Sequence, residues 1–249
     1  FFLMIRRPPR STPKPSAAAS DVHKRQLLML TDIDKVTLAD MYPFQKILFY
    51  DNSPYGSIVV TKLRDQINIF ENSLPVFSTK DIIEAEETMH FALSQRNATN
   101  LLLISTGFSS INEAKKYNAS IDYVELDPKL IEIGRKLNLI PSNVNLNVKD
   151  GRKFVKETRK KYDTIIIGLS NPDNIQLNRF YTYEFFKEVK KVLKQDGVIE
   201  LSLDVGTNYM NREEILLSSS IFSTLKRVFK YVELIPASKL YFLWNLFYL

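Results

Sequence analysis

The sequence contains no cysteine. Disulfides, thiolate zinc sites and cysteine nucleophiles are therefore excluded. Imidazole is almost as scarce, since only His23 and His90 can supply it, and a multi-histidine metal centre is not expected. No apolar run reaches the roughly 18 residues needed to cross a bilayer. Excess positive charge is also missing from most of the chain. The formal charge is +6, yet residues 1–26 hold six basic side chains against Asp21 alone. The remainder is close to neutral and carries no electrostatic footprint for DNA or RNA. Apolar mass is plentiful: 45% of the 249 residues are hydrophobic and 12% aromatic, enough for one large α/β domain with a small appendage.

The ends are unusual. The chain opens on Phe1 rather than Met and stops inside an apolar aromatic stretch, Tyr241 to Leu249, which reads as a fragment of a longer protein. In residues 1–26, Pro8, Pro9, Pro13 and Pro15 break any helix, with Ser, Ala and Arg between them. The arginine, serine and shortage of acids would suit a transit peptide. The stretch reads better as translated adapter or vector sequence, and it is set aside as a disordered tail.

Residues 27–95 are expected to form a small β-domain with a linking helix. Ile47–Tyr50, Ser57–Thr61 and Ile67–Phe70 are β-branched and aromatic, and turn residues at Asn52-Ser53-Pro54 and Leu63–Asp65 separate them. Asp81 to Ser94 reads as a helix. From residue 96 to 249 the pattern becomes strand–helix alternation. Leu101–Ser105, Ile121–Leu126, Val144–Val148, Thr164–Gly168 and Val198–Leu203 are short apolar runs. Amphipathic segments at Ile111–Tyr117, Pro128–Leu137, Arg152–Lys160 and Tyr183–Leu193 lie between them. Alternation at this spacing predicts βαβ units and a mostly parallel sheet. Gly197 is placed as the stop after the Tyr183 helix. Ile215 to Phe229 is a further helix, and Val232–Ile235 with Leu240–Phe247 a closing strand pair.

Candidate ligand-handling residues fall at strand ends. The loop Ser105-Thr106-Gly107-Phe108-Ser109-Ser110 would let backbone approach a ligand, although a plain tight turn fits equally well. Glu125 ends the second strand, where a carboxylate can accept two hydrogen bonds from ribose hydroxyls; the alternative is a solvated strand end, with Asp127 capping the next helix. Asp150-Gly151 follows the third strand. Asp150 could accept from an adenine amino group, with Gly151 letting the base lie close, or could cap the following helix; the two roles compete. Arg179 could clamp a carboxylate, a structural ion pair being the simpler role. Phe180, Tyr181, Phe185 and Phe186 read as core, His90 as a structural histidine, and Glu84, Glu86 and Glu87 as a solvated helix face with a lesser role in attracting an amine.

The order of these motifs resembles the spermidine synthase family of polyamine aminopropyltransferases. Pro54-Tyr55-Gly56-Ser57-Ile58-Val59-Val60 is similar to the strand signature that opens that domain. The loop at Gly107, Val124-Glu125-Leu126-Asp127, Asp150-Gly151 and Tyr162–Ile167 follow in the family's order, and together they cover about residues 46–236. Residues 123–128, 176–186 and Asn208-Tyr209 resemble the spermidine synthase-like domains of bacterial multi-pass membrane proteins. The resemblance implies a Rossmann-like, class I methyltransferase-type α/β fold with helices on both faces of the sheet, preceded by the small β-domain. It implies decarboxylated S-adenosylmethionine, or S-adenosylmethionine, as a nucleoside ligand with no permanently bound cofactor or metal. Gly107, Glu125, Asp150 and Gly151 would line the nucleoside site, and a polyamine would be the second small molecule. It further implies a cytoplasmic domain, attached to the inner membrane in a longer parent, with room for a homodimer.

The family's D-x-x-D-P segment reads Gly168-Leu169-Ser170-Asn171-Pro172 here, so both of its carboxylates are replaced. Phe108 stands where an ammonium-binding acid is expected, and Glu84-Ala85 replaces a tyrosine–histidine pair. Attack by a diamine needs a neutral amine, and a carboxylate base typically supplies about 10²–10⁴-fold in rate. Three functions are therefore expected: aminopropyl transfer or a degenerate relative of it, a non-catalytic nucleoside-binding module, or methyl transfer from S-adenosylmethionine. If only those acids are lacking, Gly168→Asp with Asn171→Asp should raise transfer; no gain would show deeper remodelling of the site.

Overall fold

The computed structural model describes residues 33–245; residues 1–26 lie outside them, as do residues 246 and 247 of the expected closing strand. The chain divides into two units, the second beginning at Leu48. In the first, the described residues form helix α1 (Ile33–Met41) and a turn running into β1 (Lys46–Ser53).

The second unit begins with the antiparallel sheet β1-β2-β3-β4, completed by β2 (Gly56–Leu63), β3 (Gln66–Glu71) and β4 (Leu74–Ser78). The β3–β4 turn is the residue pair Asn72-Ser73, with φ of 51° and 66° and Glu71 opposite Leu74. Two central residues at positive φ match the twist of a tight hairpin. The sequence reading did not identify β4. It contains Pro75, which is tolerated because β4 is an edge strand with an irregularity opposite it in β3.

Helix α2 (Ile82–Leu93) follows and buries Ala85, Thr88, Met89, Ala92 and Leu93, a stripe at helical spacing. Then come β5 (Asn100–Ile104), α3 (Gly107–Ala114), β6 (Ser120–Glu125), α4 (Pro128–Lys136), β7 (Val144–Val148), α5 (Gly151–Glu157), β8 (Tyr162–Ile167), the short α6 (Ile175–Asn178), α7 (Tyr183–Val192), β9 (Leu193–Leu203), α8 (Arg212–Lys226), β10 (Tyr231–Pro236) and β11 (Leu240–Asn245). The large sheet runs β10-β11-β9-β8-β5-β6-β7. Strands β5 to β9 are parallel, and β11 is antiparallel to both β9 and β10.

Alternate residues of the central strands enter two cores, as the period of two requires. Leu102, Ile104, Ile165, Ile167, Ile199 and Leu201 face α5, α7 and α8. Leu101, Leu103, Tyr123 and Ile166 face α2, α3, α4 and the inner side of the small sheet. Phe180, Tyr181, Phe185 and Phe186 are buried in the first of these cores.

Caps set the helix starts. The Asp127 side chain accepts from the Lys129 N–H, with Pro128 at the first helical position, and Thr182 caps α7. Asn211 and Glu214 form a reciprocal capping box on α8. Gly197 is not a helix stop. Helix α7 ends at Val192 and the chain passes directly into β9, where Gly197 packs on Leu193 and the Asp163 carbonyl. Leu193 turns straight into extended backbone and pairs with Tyr162, so no loop is needed.

Candidate functional site

The parallel strands β5, β6, β7 and β8 bring their carboxyl ends to one edge, and the residues singled out from the sequence gather there. At the end of β5, Ser105 adopts φ 49° and Gly107 φ 78°. The second value suits glycine, and a Cβ at Gly107 would also touch the Val76 carbonyl at 3.4 Å. Phe108 turns away from the edge. It is buried against Phe77, with ring centroids 5.7 Å apart, and against Tyr123. It therefore fills core volume.

Glu125 ends β6 and is 9% exposed. Its Oε1 accepts from the Leu126 N–H at 2.7 Å and the Ser105 hydroxyl at 3.4 Å, and its Oε2 from the Tyr123 hydroxyl at 3.1 Å. Burial raises its carboxyl above the ordinary range, while these donors act in the opposite sense. Glu125 is thus a buried strand-end carboxylate, not a solvated one. One lone pair of Oε2 stays open, and the Ser105 contact is long enough to exchange for another hydroxyl donor.

Asp150 follows the adjacent strand. Glu125 pairs with Val148, and the Lys149 N–H donates to the Glu125 carbonyl at 2.9 Å, so Glu125 and Asp150 leave neighbouring strand ends. Asp150 caps α5 by accepting from the Lys153 N–H at 2.9 Å. Its second oxygen pairs with the Arg179 guanidinium. Arg179 was reached from sequence, but its partner was not, because 29 residues separate the two. A Cβ at Gly151 would meet Ile104 Cγ2 at 2.6 Å, so this glycine allows α5 to pack on β5.

After β8 the expected acid positions are structurally committed. A Cβ at Gly168 would lie 2.4 Å from Thr106 Cα and 2.9 Å from the Ser105 carbonyl oxygen. The Gly168 N–H also donates to the Ile104 carbonyl at 2.9 Å. Asn171 clasps the backbone of Asp204, donating to its carbonyl at 2.8 Å and accepting from its N–H at 2.9 Å. The Tyr181 hydroxyl donates to the Leu169 and Ser170 carbonyls and fixes the loop between them. An acid at 168 does not fit the space, and an acid at 171 loses a donor. Restoring the two carboxylates alone would therefore disturb the packing of this edge. Asp163 lies at the opposite end of β8, where Lys194, Thr99 and the Asn100 N–H hold it.

The sequence did not single out Glu71. It sits at the end of β3, and burial together with the charges of Glu125 and Asp127 pushes its carboxyl up to about 7. The α2 acids divide. Glu84 pairs with Lys239, and Glu87 accepts from the Ser238 N–H at 3.0 Å. Glu86, His90 and Glu113 bring potential metal-ligand atoms within 4.8 Å of one another. Lys116 already pairs with Glu113 there and stands 3.9 Å from Glu86, so a resident ammonium balances the charge.

A seven-stranded sheet of this order, with its reversed strand and a small antiparallel sheet ahead of it, defines the class: a methyltransferase-like α/β domain. The chain belongs to the spermine/spermidine synthase domain family, whose model matches residues 81–240. It is 30% identical over 209 residues to polyamine aminopropyltransferase 2 of Aquifex aeolicus, covering 78% of this chain and 41% of that protein. It is 27% identical over 190 residues to the polyamine aminopropyltransferase of Methanocaldococcus jannaschii, covering 72% and 61%. The chain thus spans about half the length of these relatives. Its fold matches a spermidine synthase solved with the transition-state analogue AdoDATO, at TM-score 0.69 and 18% identity over 81% of this chain and 74% of that one. It also matches spermidine synthase from Thermotoga maritima, at TM-score 0.67 and 17% identity over 80% and 72%. Among the described residues, no helix is long and apolar enough to cross a membrane.

Proposed function

We propose that this domain binds decarboxylated S-adenosylmethionine at the carboxyl edge of β5 to β7 and transfers its aminopropyl group to a polyamine. The observation that carries the reading is the placement of the Gly107 turn, Glu125 and Asp150 at three adjacent strand ends. In this reading Glu125 accepts from the ribose hydroxyls, using the open lone pair of Oε2 and the exchangeable Ser105 contact on Oε1. Asp150 takes the base. The lone pair of a neutral amine then attacks the methylene carbon beside the sulfonium. A C–N bond forms, the C–S bond breaks, methylthioadenosine leaves, and the amine's extra proton passes to solvent. With Gly and Asn at 168 and 171, that proton lacks a fixed acceptor, so transfer is slower than with a carboxylate base by about 10²–10⁴-fold.

A second reading, nucleoside binding without transfer, is favoured by the steric closure at Gly168 and the double clasp of Asn171. Calorimetric titration of the whole chain with decarboxylated S-adenosylmethionine, S-adenosylmethionine and methylthioadenosine, followed by a methylthioadenosine-release assay with putrescine, separates the two. Putrescine-dependent release supports transfer. Binding without release supports the second reading, and binding of none of the three refutes both.

A further inference from the structure

Arg179 is held more firmly than an ordinary surface arginine. Its Nε donates to the Gln176 carbonyl at 2.9 Å, its Nη2 pairs with Asp150, and its guanidinium carbon lies 4.7 Å from the Phe180 ring centroid. Its backbone carbonyl accepts from Arg152 at 3.1 Å, and Arg152 is itself locked by two hydrogen bonds to Glu188. The guanidinium plane is therefore fixed, while 36% of the side chain stays open. The contacts named here use the Nε hydrogen and one Nη2 hydrogen, which leaves the Nη1 donors in hand.

The pairing puts a carboxylate acceptor beside a planar donor, on the edge where Asp150 emerges from β7. Adenine offers the complementary pattern, an amino donor beside ring-nitrogen acceptors. Taking Asp150 as the acceptor of the adenine amino group, as the nucleoside reading has it, we propose that Arg179 completes the base contact by donating to an adjacent ring nitrogen. Arg179 is then a specificity residue, and its fork geometry is what lysine cannot reproduce. The inference rests on the nucleoside reading of the site.

The test uses the whole chain and calorimetry with methylthioadenosine and its 1-deaza and 7-deaza analogues, each lacking one ring nitrogen. Wild type should favour the parent over one analogue by roughly 10- to 100-fold, the range of a good paired base contact. Arg179→Met should remove that preference. Arg179→Lys, which keeps the charge beside Asp150, should remove most of it and covers the case in which the methionine variant does not fold. A preference that survives both substitutions overturns the assignment, as does an equal loss for all three nucleosides. If wild type binds the parent but does not discriminate, this inference alone falls. If wild type binds none of the three, the nucleoside reading falls with it.

Discussion

Placing a carboxylate at Gly168 tests whether packing or chemistry sets that position. A Cβ there would sit 2.4 Å from Thr106 Cα, far inside ordinary contact, and 2.9 Å from the Ser105 carbonyl oxygen. Both are backbone atoms, so no rotamer change relieves the clash. The β8 end must move by about an ångström, which strains the Gly168 hydrogen bond to Ile104. Overpacking of this kind costs about 1–3 kcal/mol. Losing the hydrogen bond adds roughly 0.5–1.5 kcal/mol. For a domain of this size that corresponds to a fall of roughly 3–18 °C in Tm. Gly168→Ala and Gly168→Asp should lose similar amounts, because the first side-chain carbon does the damage. Adding Asn171→Asp should deepen the loss, since a carboxylate would face the Asp204 carbonyl. Thermal and urea unfolding of the three variants, beside the methylthioadenosine-release assay, supplies the measurement. A Gly168→Asp protein with wild-type stability and increased release would refute the packing argument.

Two further outcomes follow from the charged groups. Glu71 has its carboxyl raised to about 7 against an ordinary 4.5, so the stability tied to its neutral form is present at low pH and is lost as pH rises through about 7. Wild-type Tm should therefore carry a decline between about pH 4.5 and 7 that Glu71→Gln flattens; parallel pH profiles would contradict the cluster with Glu125 and Asp127. Asp163 has the opposite sign. Burial would raise its carboxyl, but Lys194, Thr99 and the Asn100 N–H outweigh burial and hold it at about 2. Its contribution is present above the ordinary carboxylate value and is lost as pH falls from about 4 through about 2. Asp163→Asn leaves Lys194 and Arg96 without their shared anion and should cost about 3–5 kcal/mol at neutral pH by urea unfolding. A loss below 1 kcal/mol would show that the network is not a structural anchor.

The strands of the large sheet were readable because buried parallel strands are short, continuous apolar runs, and Leu101–Ile104 and Thr164–Ile167 are clear instances. β4 was not readable, because Pro75 and the exposed Leu74 and Val76 obscure an edge strand. Gly197 misled because glycine after a helix suggests a stop, whereas here it serves close packing within β9. At the site, Glu125 and Asp150 were visible as acids at strand ends. The partners that define them were not. Arg179 reaches Asp150 from a distant loop, Glu71 approaches from another sheet, and Gly168 looks like a lost acid until the Thr106 backbone is placed beside it. Local pattern reports which residues end a strand; only tertiary packing reports what stands opposite them.

The grip of Ser238 and Lys239 on Glu87 and Glu84 joins positions 151 and 155 residues apart. On a ribosome the α2 segment is synthesised long before those partners, and a helix of 12 residues standing alone is marginal in water. Contacts this remote in sequence are made late and slow the final search. Native-state hydrogen exchange should therefore find the backbone amides of α2 and of the β10–β11 turn opening and closing as one cooperative unit, protected together or not at all.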